Sequence, residues 1–136
     1  MDVNSHGTHV AGSALGTGDA SRQHMGTAPG AYLVDVKVLT DAGGTNSQYS
    51  ISGIQWVVNN ANTDWGHNGS SKGIQVASMS FGSFSSPLNP DDTGDNGSSA
   101  EARQVNNAVD AGVVCVIAMG NDGARRVPSP ASADKG

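Results

Sequence analysis

Apolar positions recur with two different periods along this chain. Residues 31–39, AYLVDVKVL, are rich in β-branched side chains and alternate around Asp35 and Lys37, which predicts a strand. Residues 48–61 instead place Ile51, Ile54, Val57, Val58 and Ala61 at a spacing of about 3.6, the signature of an amphipathic helix. IQVASMS, residues 74–80, reads as a buried strand. Ser98 then opens an S-x-x-E capping box with Glu101, and a helix runs through Val105, Ala108 and Val109 to a stop at Gly112. VVCVIAM, residues 113–119, is almost wholly apolar, the pattern of a strand covered on both faces. Near the start, HGTHVAGSAL (6–15) predicts a short helix preceded by Ser5 and stopped by Gly16 and Gly18. Its two internal glycines each cost about 1 kcal/mol. It is therefore expected to be buried, with other backbone passing close to Gly7 and Gly12.

The resulting order is α, β, α, β, α, β. Strands alternating with helices imply an α/β fold, a parallel sheet with helices on both faces and right-handed crossovers. In such sheets ligands bind outside the carboxyl ends of the strands. Three loops then become candidates: residues 43–49, 80–83 and 120–123. The stretch 81–97 exceeds an ordinary connection length and so points to function.

Composition complicates this picture. The chain has 136 residues, so one domain, 1–136, is expected. Ala, Gly and Val supply 16, 19 and 14 residues, but Leu, Ile and Phe together only 10. A core of such small side chains packs tightly yet buries little area, and a lone domain built on it would be marginal. Twelve acidic against seven basic residues is the wrong balance for a nucleic-acid partner. No apolar run reaches membrane-spanning length, which argues against a membrane partner, and no signal peptide opens the chain. Cys115 is the single cysteine, which excludes an internal disulfide and any paired-cysteine metal site.

The first segment carries chemistry. Ser5-His6-Gly7-Thr8-His9-Val10-Ala11-Gly12 closely resembles the histidine segment of subtilisin-like serine proteases. The likeness continues in order along MGTAPGAYLVDVKVL (25–39), GGTNSQYS (43–50), VASMSFGS (76–83) and VVCVIAMGNDG (113–123). The chain thus resembles part of a subtilase peptidase domain, running from the histidine segment through the oxyanion-hole asparagine. An isolated histidine would more often be a capping or surface residue. Within this motif, the resemblance implies that His6 is the general base that takes the serine proton and returns it to the leaving amine. His9, one turn on, reads as a packed residue supporting His6, while His24 and His67 fall in polar loops.

By the same resemblance Asn121 donates to the oxyanion that forms on the scissile carbonyl. Asn-Asp-Gly is also a strong turn string, which is the plainer reading. A polypeptide substrate would add as an extended strand, needing free backbone groups and small neighbours. Gly43, Gly44 and Thr45 offer these on one side, and Ser80, Phe81 and Gly82 on the other, with Tyr49 as an apolar wall. Ala118, Met119 and Gly120 resemble the opposite side of the pocket for the residue before the cleaved bond. Ser129, Pro130 and Ala131 fall near its base. Phe81 and Met119 are bulkier than the commonest family occupants.

Two parts of a triad are absent from the pattern. Family order is Asp, His, Ser. Asp2 precedes His6 by only four residues, which does not match the family aspartate, and no G-T-S-x-A string follows Asn121. The expectation is a serine-type endopeptidase fragment, inactive alone, whose missing segments flank it. The alternative is a non-catalytic peptide-binding α/β module of the same fold. A nucleotide-binding domain is a weaker reading, since no Gly-rich fingerprint leads a strand into a helix. The string Asp91-Asp92-Thr93-Gly94-Asp95 has oxygen enough for calcium but not the EF-hand spacing, and a solvated loop is the simpler account. No metal is assigned to these residues, although calcium is a family possibility for the full-length enzyme. The resemblance also implies an extracellular protein.

Overall fold

The computed structural model describes residues 2–44, 46–66, 72–84, 94–121 and 126–136. Thr45, His67, Asp91, Asp92, Thr93, Asp122 and Gly123, all singled out above, lie outside the described residues. The elements run α1 (His6–Leu15), α2 (Ser47–Asn59), β1 (Val76–Met79), α3 (Ala100–Asp110) and β2 (Val114–Ile117). They belong to two compact units, Met1–Tyr49 and Ser50–Gly136.

The second unit holds the sheet. β1 and β2 pair in parallel with Val76 opposite Val114 and Met79 opposite Ile117. The connection between them contains α3, as a parallel pair requires. Side chains alternate along each strand, so Ala77, Met79, Cys115 and Ile117 face one way. Those four pack with Ile54 and Ala61 from the α2 region and with Ala102, Val105 and Ala108 from α3. Among the described residues, four of the eight buried hydrophobic residues are alanines, so the small-residue composition reappears as a thin core.

β2 was expected to be covered on both faces and is not. Val76, Val114 and Val116 share the opposite face and are 56, 59 and 56% exposed. A continuous apolar run shows that a strand can be covered on both faces; the covering still needs packing partners, and both helices of this unit contribute to the same side. Such an apolar patch is unusual for a finished surface.

The helix before β2 also starts differently from its capping-box reading. Ser99, rather than Ser98, is the N-cap, its Oγ accepting the Ala102 N–H at 3.1 Å. Glu101 does not reach back to the cap. It is 4% exposed and accepts a short hydrogen bond from the buried Ser50 hydroxyl of α2. A buried carboxylate gains more from a core hydroxyl than from an exposed amide, because leaving it unpaired there is costly. At the far end Gly112 turns the chain at φ 90° and Val113 N–H donates to Ala108 O, which directs the backbone into β2.

In the first unit, residues 31–39 form no strand. Tyr32 and Leu33 are each 57% exposed and Val34 37%. Alternation gives these residues the propensity, but a strand also needs a neighbouring strand to build a ladder with, and the sheet among the described residues consists of β1 and β2. α1 forms over the expected residues yet buries none of them. Gly12 has open space where a side chain would be, and a side chain at Gly7 would meet only ordinary contact with Asp2. The close backbone approach expected beside these glycines is absent from the described residues. His9 is exposed rather than packed.

Candidate active site

His6 is the first residue of α1, and Asp2 fixes where that helix starts. Ser5, the formal N-cap, sits at φ 71° and makes no side-chain cap bond. The Asp2 carboxylate takes over the task. Its Oδ2 accepts the Thr8 N–H at 2.7 Å, and Oδ1 accepts from Ser5 at 3.0 Å and Asn4 at 3.2 Å. A carboxylate here also meets the positive end of the helix dipole. Hydrogen bonds from the Thr8 amide, then the Thr8 hydroxyl, hold the Asp2 carboxyl below its ordinary value; desolvation opposes them, and the Ser5 and Asn4 amides add smaller lowering effects. The other end of α1 is tied too. Gly26 N–H donates to Gly16 O and Ala28 N–H to Ala14 O, which satisfies carbonyls that a helix end leaves open.

A pH dependence follows. Because the folded value is lowered, the Asp2 contribution is complete above the ordinary carboxyl value of about 4 and disappears as pH falls through the lower folded value. Amide exchange at Thr8 should be slow and steady from pH 5 to 8 after correction for intrinsic rates, and should accelerate below about pH 4. Asp2→Ala should give the fast rate at every pH. Equal Thr8 protection in both proteins would remove Asp2 as the cap.

The turn after residues 31–39 lies beside this helix start, since a side chain on Gly43 would come within 2.9 Å of Asn4 Nδ2. Its backbone is not free as expected. Gly43 N–H donates to Thr40 O, and Gly44 O accepts from Thr40 N–H at 2.7 Å. This two-bond turn engages the Gly43 N–H and the Gly44 C=O, two of the groups that a substrate strand would use. Tyr49 falls in the first turn of α2 and is 51% exposed, its amide held by Asn46 O and Oδ1 at 3.0 Å.

In the second unit, the parallel register sets the geometry. Met79 and Ile117 are partners at the ends of β1 and β2, and Ala118 N–H carries the ladder one step further to Met79 O. Ser80, Phe81 and Gly82 therefore leave the sheet beside Ala118, Met119, Gly120 and Asn121. This is the carboxyl edge of the strands, where ligands of parallel sheets bind. Met119 is 58% exposed, Gly120 turns at φ 92°, and Asn121 follows it exposed. Phe81 is half-buried against the core.

A third segment joins them that the sequence marked only faintly. Ser83 and Ser129 exchange both backbone hydrogen bonds, at 2.9 and 3.0 Å, and Pro128 and Pro130 beside Ser129 are fully buried. The sequence signal for this contact was slight: a Pro-containing tail with no periodicity.

Other polar groups have settled roles. Asp95, the described carboxylate of the acidic string, accepts from the Ser99 and Ser132 hydroxyls. Among the described residues no three His, Cys, Asp or Glu side chains gather as a metal site. Burial pushes the Cys115 thiol above its ordinary value, which keeps it protonated and unsuited as a nucleophile. No helix of the described residues is long and apolar enough to cross a membrane.

Comparison of the sequence with known proteins points to a family. A model of the subtilase family, Peptidase_S8, matches residues 1–135. Subtilisin DY of Bacillus licheniformis is 34% identical over 122 residues, covering 90% of this chain and 36% of its own. The thermostable alkaline protease of Halalkalibacterium halodurans is 37% identical, over 96% of this chain and 29% of its own. Subtilisin Savinase of Lederbergia lenta is 38% identical, over 96% and 40% respectively. The chain spans about a quarter to two fifths of the length of the curated relatives it matches. With an α/β core, a parallel strand pair and the His6 motif at the head of α1, the chain belongs to the subtilase family.

Proposed function

We propose that this chain forms the central part of a serine endopeptidase domain, and that His6 and Asn121 are its contribution to the chemistry. His6 takes the proton of a serine Oγ as that oxygen attacks the scissile carbonyl, then passes it to the departing amine. Asn121 donates its side-chain N–H to the oxyanion that forms on the former carbonyl. The serine and the aspartate that orients His6 come from segments of the same domain flanking this chain. Those segments also cover the Val76, Val114 and Val116 face. Ser80, Phe81 and Gly82 run along one side of the substrate, Ala118, Met119 and Gly120 along the other, and residues 129–131 form the floor. Gly43, Gly44 and Tyr49 are further candidates for contact with the substrate, the glycines through surface shape rather than strand pairing. The protein works outside the cell.

The observation that supports this reading best is the register of β1 and β2, which sends both substrate segments and Asn121 off one edge of the sheet. Asp2 is engaged at the start of α1, which fits a cap and leaves the orienting aspartate to another segment.

A fluorophosphonate probe tests the division of labour. The 136-residue chain alone should take up no label, whereas the longest reading frame containing it should label at one serine outside these residues. Stoichiometric labelling of any serine within the chain would overturn the assignment. A reading frame that lacks a G-T-S-x-A segment and stays unlabelled would favour a peptide-binding module instead.

A further inference from the structure

Asp95 precedes α3 and lies apart from the residues assigned to chemistry. Its Oδ2 accepts from Ser99 Oγ at 2.8 Å and from Ser132 Oγ. Ser99 Oγ in turn lies 2.7 Å from Ser129 Oγ and accepts the Ala102 N–H. A hydroxyl has one proton and two lone pairs. Ser99 spends its proton on Asp95, so Ser129 must be the donor in the Ser99–Ser129 bond. The Ser99 hydroxyl is then saturated, and every proton direction in the chain follows from the carboxylate. Asp95 is half-buried and Ser129 only 5% exposed, so water competes weakly for the Ser129 hydroxyl.

The backbone repeats the connection. Asp95 N–H donates to Val127 O at 2.9 Å, and Gly94, at φ 91°, runs so close to Val127 that a side chain there would sit 2.3 Å from its carbonyl oxygen. One residue pair further on, Ser129 is bonded to Ser83 in both directions. Pro128 and Ser129 abut Gly82 so tightly that a side chain on it would stand 3.1 Å from Pro128 Cβ and 3.3 Å from Ser129 O. Residues 127–132 are thus held on one side by Asp95 and press on Gly82 with the other.

We infer that Asp95 is a positioning residue for substrate selection: by anchoring residues 127–132 through Ser99, Ser132 and Ser129, it sets the width of the cleft beside residues 80–82. This rests on the proposed function for its substrate side, but the anchoring stands on its own. Asp95→Ala removes the one oxygen that accepts from both hydroxyls, while Asp95→Asn keeps a side-chain oxygen able to accept from both.

Two readouts are taken on the longest reading frame containing this chain. In Asp95→Ala, amide exchange at Ser83 and Ser129 should accelerate about tenfold, the scale of one lost hydrogen bond to a charged group. For peptides with Phe or Ala before the cleaved bond, the ratio of kcat/KM values should change by about tenfold, through KM, with kcat within about twofold. Asp95→Asn should restore most of both. Unchanged exchange would overturn the anchoring. Faster exchange with equal losses on both peptides would reduce Asp95 to a structural residue and overturn its part in selection. A wild-type protein that cleaves neither peptide would overturn the proposed function and with it the selection role, while the exchange readout still decides whether Asp95 holds the loop.

Discussion

Replacing His6 by Ala in the complete enzyme is expected to lower kcat by about a million-fold while KM moves no more than a few-fold. That magnitude is the one known for subtilisin itself, carried over on the family relationship. The direction has a local reason. Without an imidazole beside it, the serine must release its proton to water during attack, and no neighbouring group returns a proton to the amine. Substrate contacts are untouched, so the loss falls on the transition state and appears in kcat. The substitution should leave folding intact. His6 is exposed, α1 buries none of its residues, and its start is held by Asp2 rather than by His6. Alanine also favours a helix more than histidine does. Steady-state kinetics with circular dichroism on the same samples make the check. A kcat within tenfold of wild type would remove His6 from the role of base.

Asn121→Ala should cost about 10²–10³ in kcat, again with little effect on KM. This too is a subtilisin value rather than one read from the present structure. The ground-state carbonyl is neutral and weakly held; the oxyanion is not, so the donor matters most once charge has developed. Asn121 follows Gly120 at the end of the β2 ladder and is exposed, so its truncation creates no core cavity. The two substitutions should also differ in combination. Loss of the base leaves catalysis that depends on the oxyanion donor and on binding. Adding Asn121→Ala to His6→Ala should therefore reduce the residual rate further. A double variant equal to His6→Ala alone would mean that Asn121 contributes nothing to the oxyanion.

Local signals carried much of the fold. The glycine-punctuated segment at residues 6–15 and the 3.6-residue spacing from Ile51 to Val58 both gave helices close to their expected bounds. Gly112 ended α3 because a left-handed turn there needs a residue without a side chain. Errors arose wherever a residue's role depended on a distant neighbour. Residues 31–39 have the composition of a strand but lie outside the β1–β2 sheet. Glu101 has the spacing of a capping box but is drawn to Ser50, 51 positions away. Gly43 and Gly44 look free in sequence, but one backbone group of each bonds to Thr40.

The candidate site divides in the same way. His6 and Asn121 could be proposed from sequence because their motifs are short and contiguous. The contact of Ser129 with Ser83 was nearly invisible, and the Asp95–Ser99–Ser129 chain wholly so, because hydrogen bonds between loops leave no periodic trace.

By itself, then, the amino-acid sequence determined the family, the helices and the residues offered for chemistry, all of which depend on local pattern. It also announced the shortage of large hydrophobic side chains. Only tertiary structure decided what that shortage means: one covered sheet face over an alanine-rich core, and another on which Val76, Val114 and Val116 stand exposed. Burial is a property of two surfaces meeting, and a strand's own residues specify only one of them.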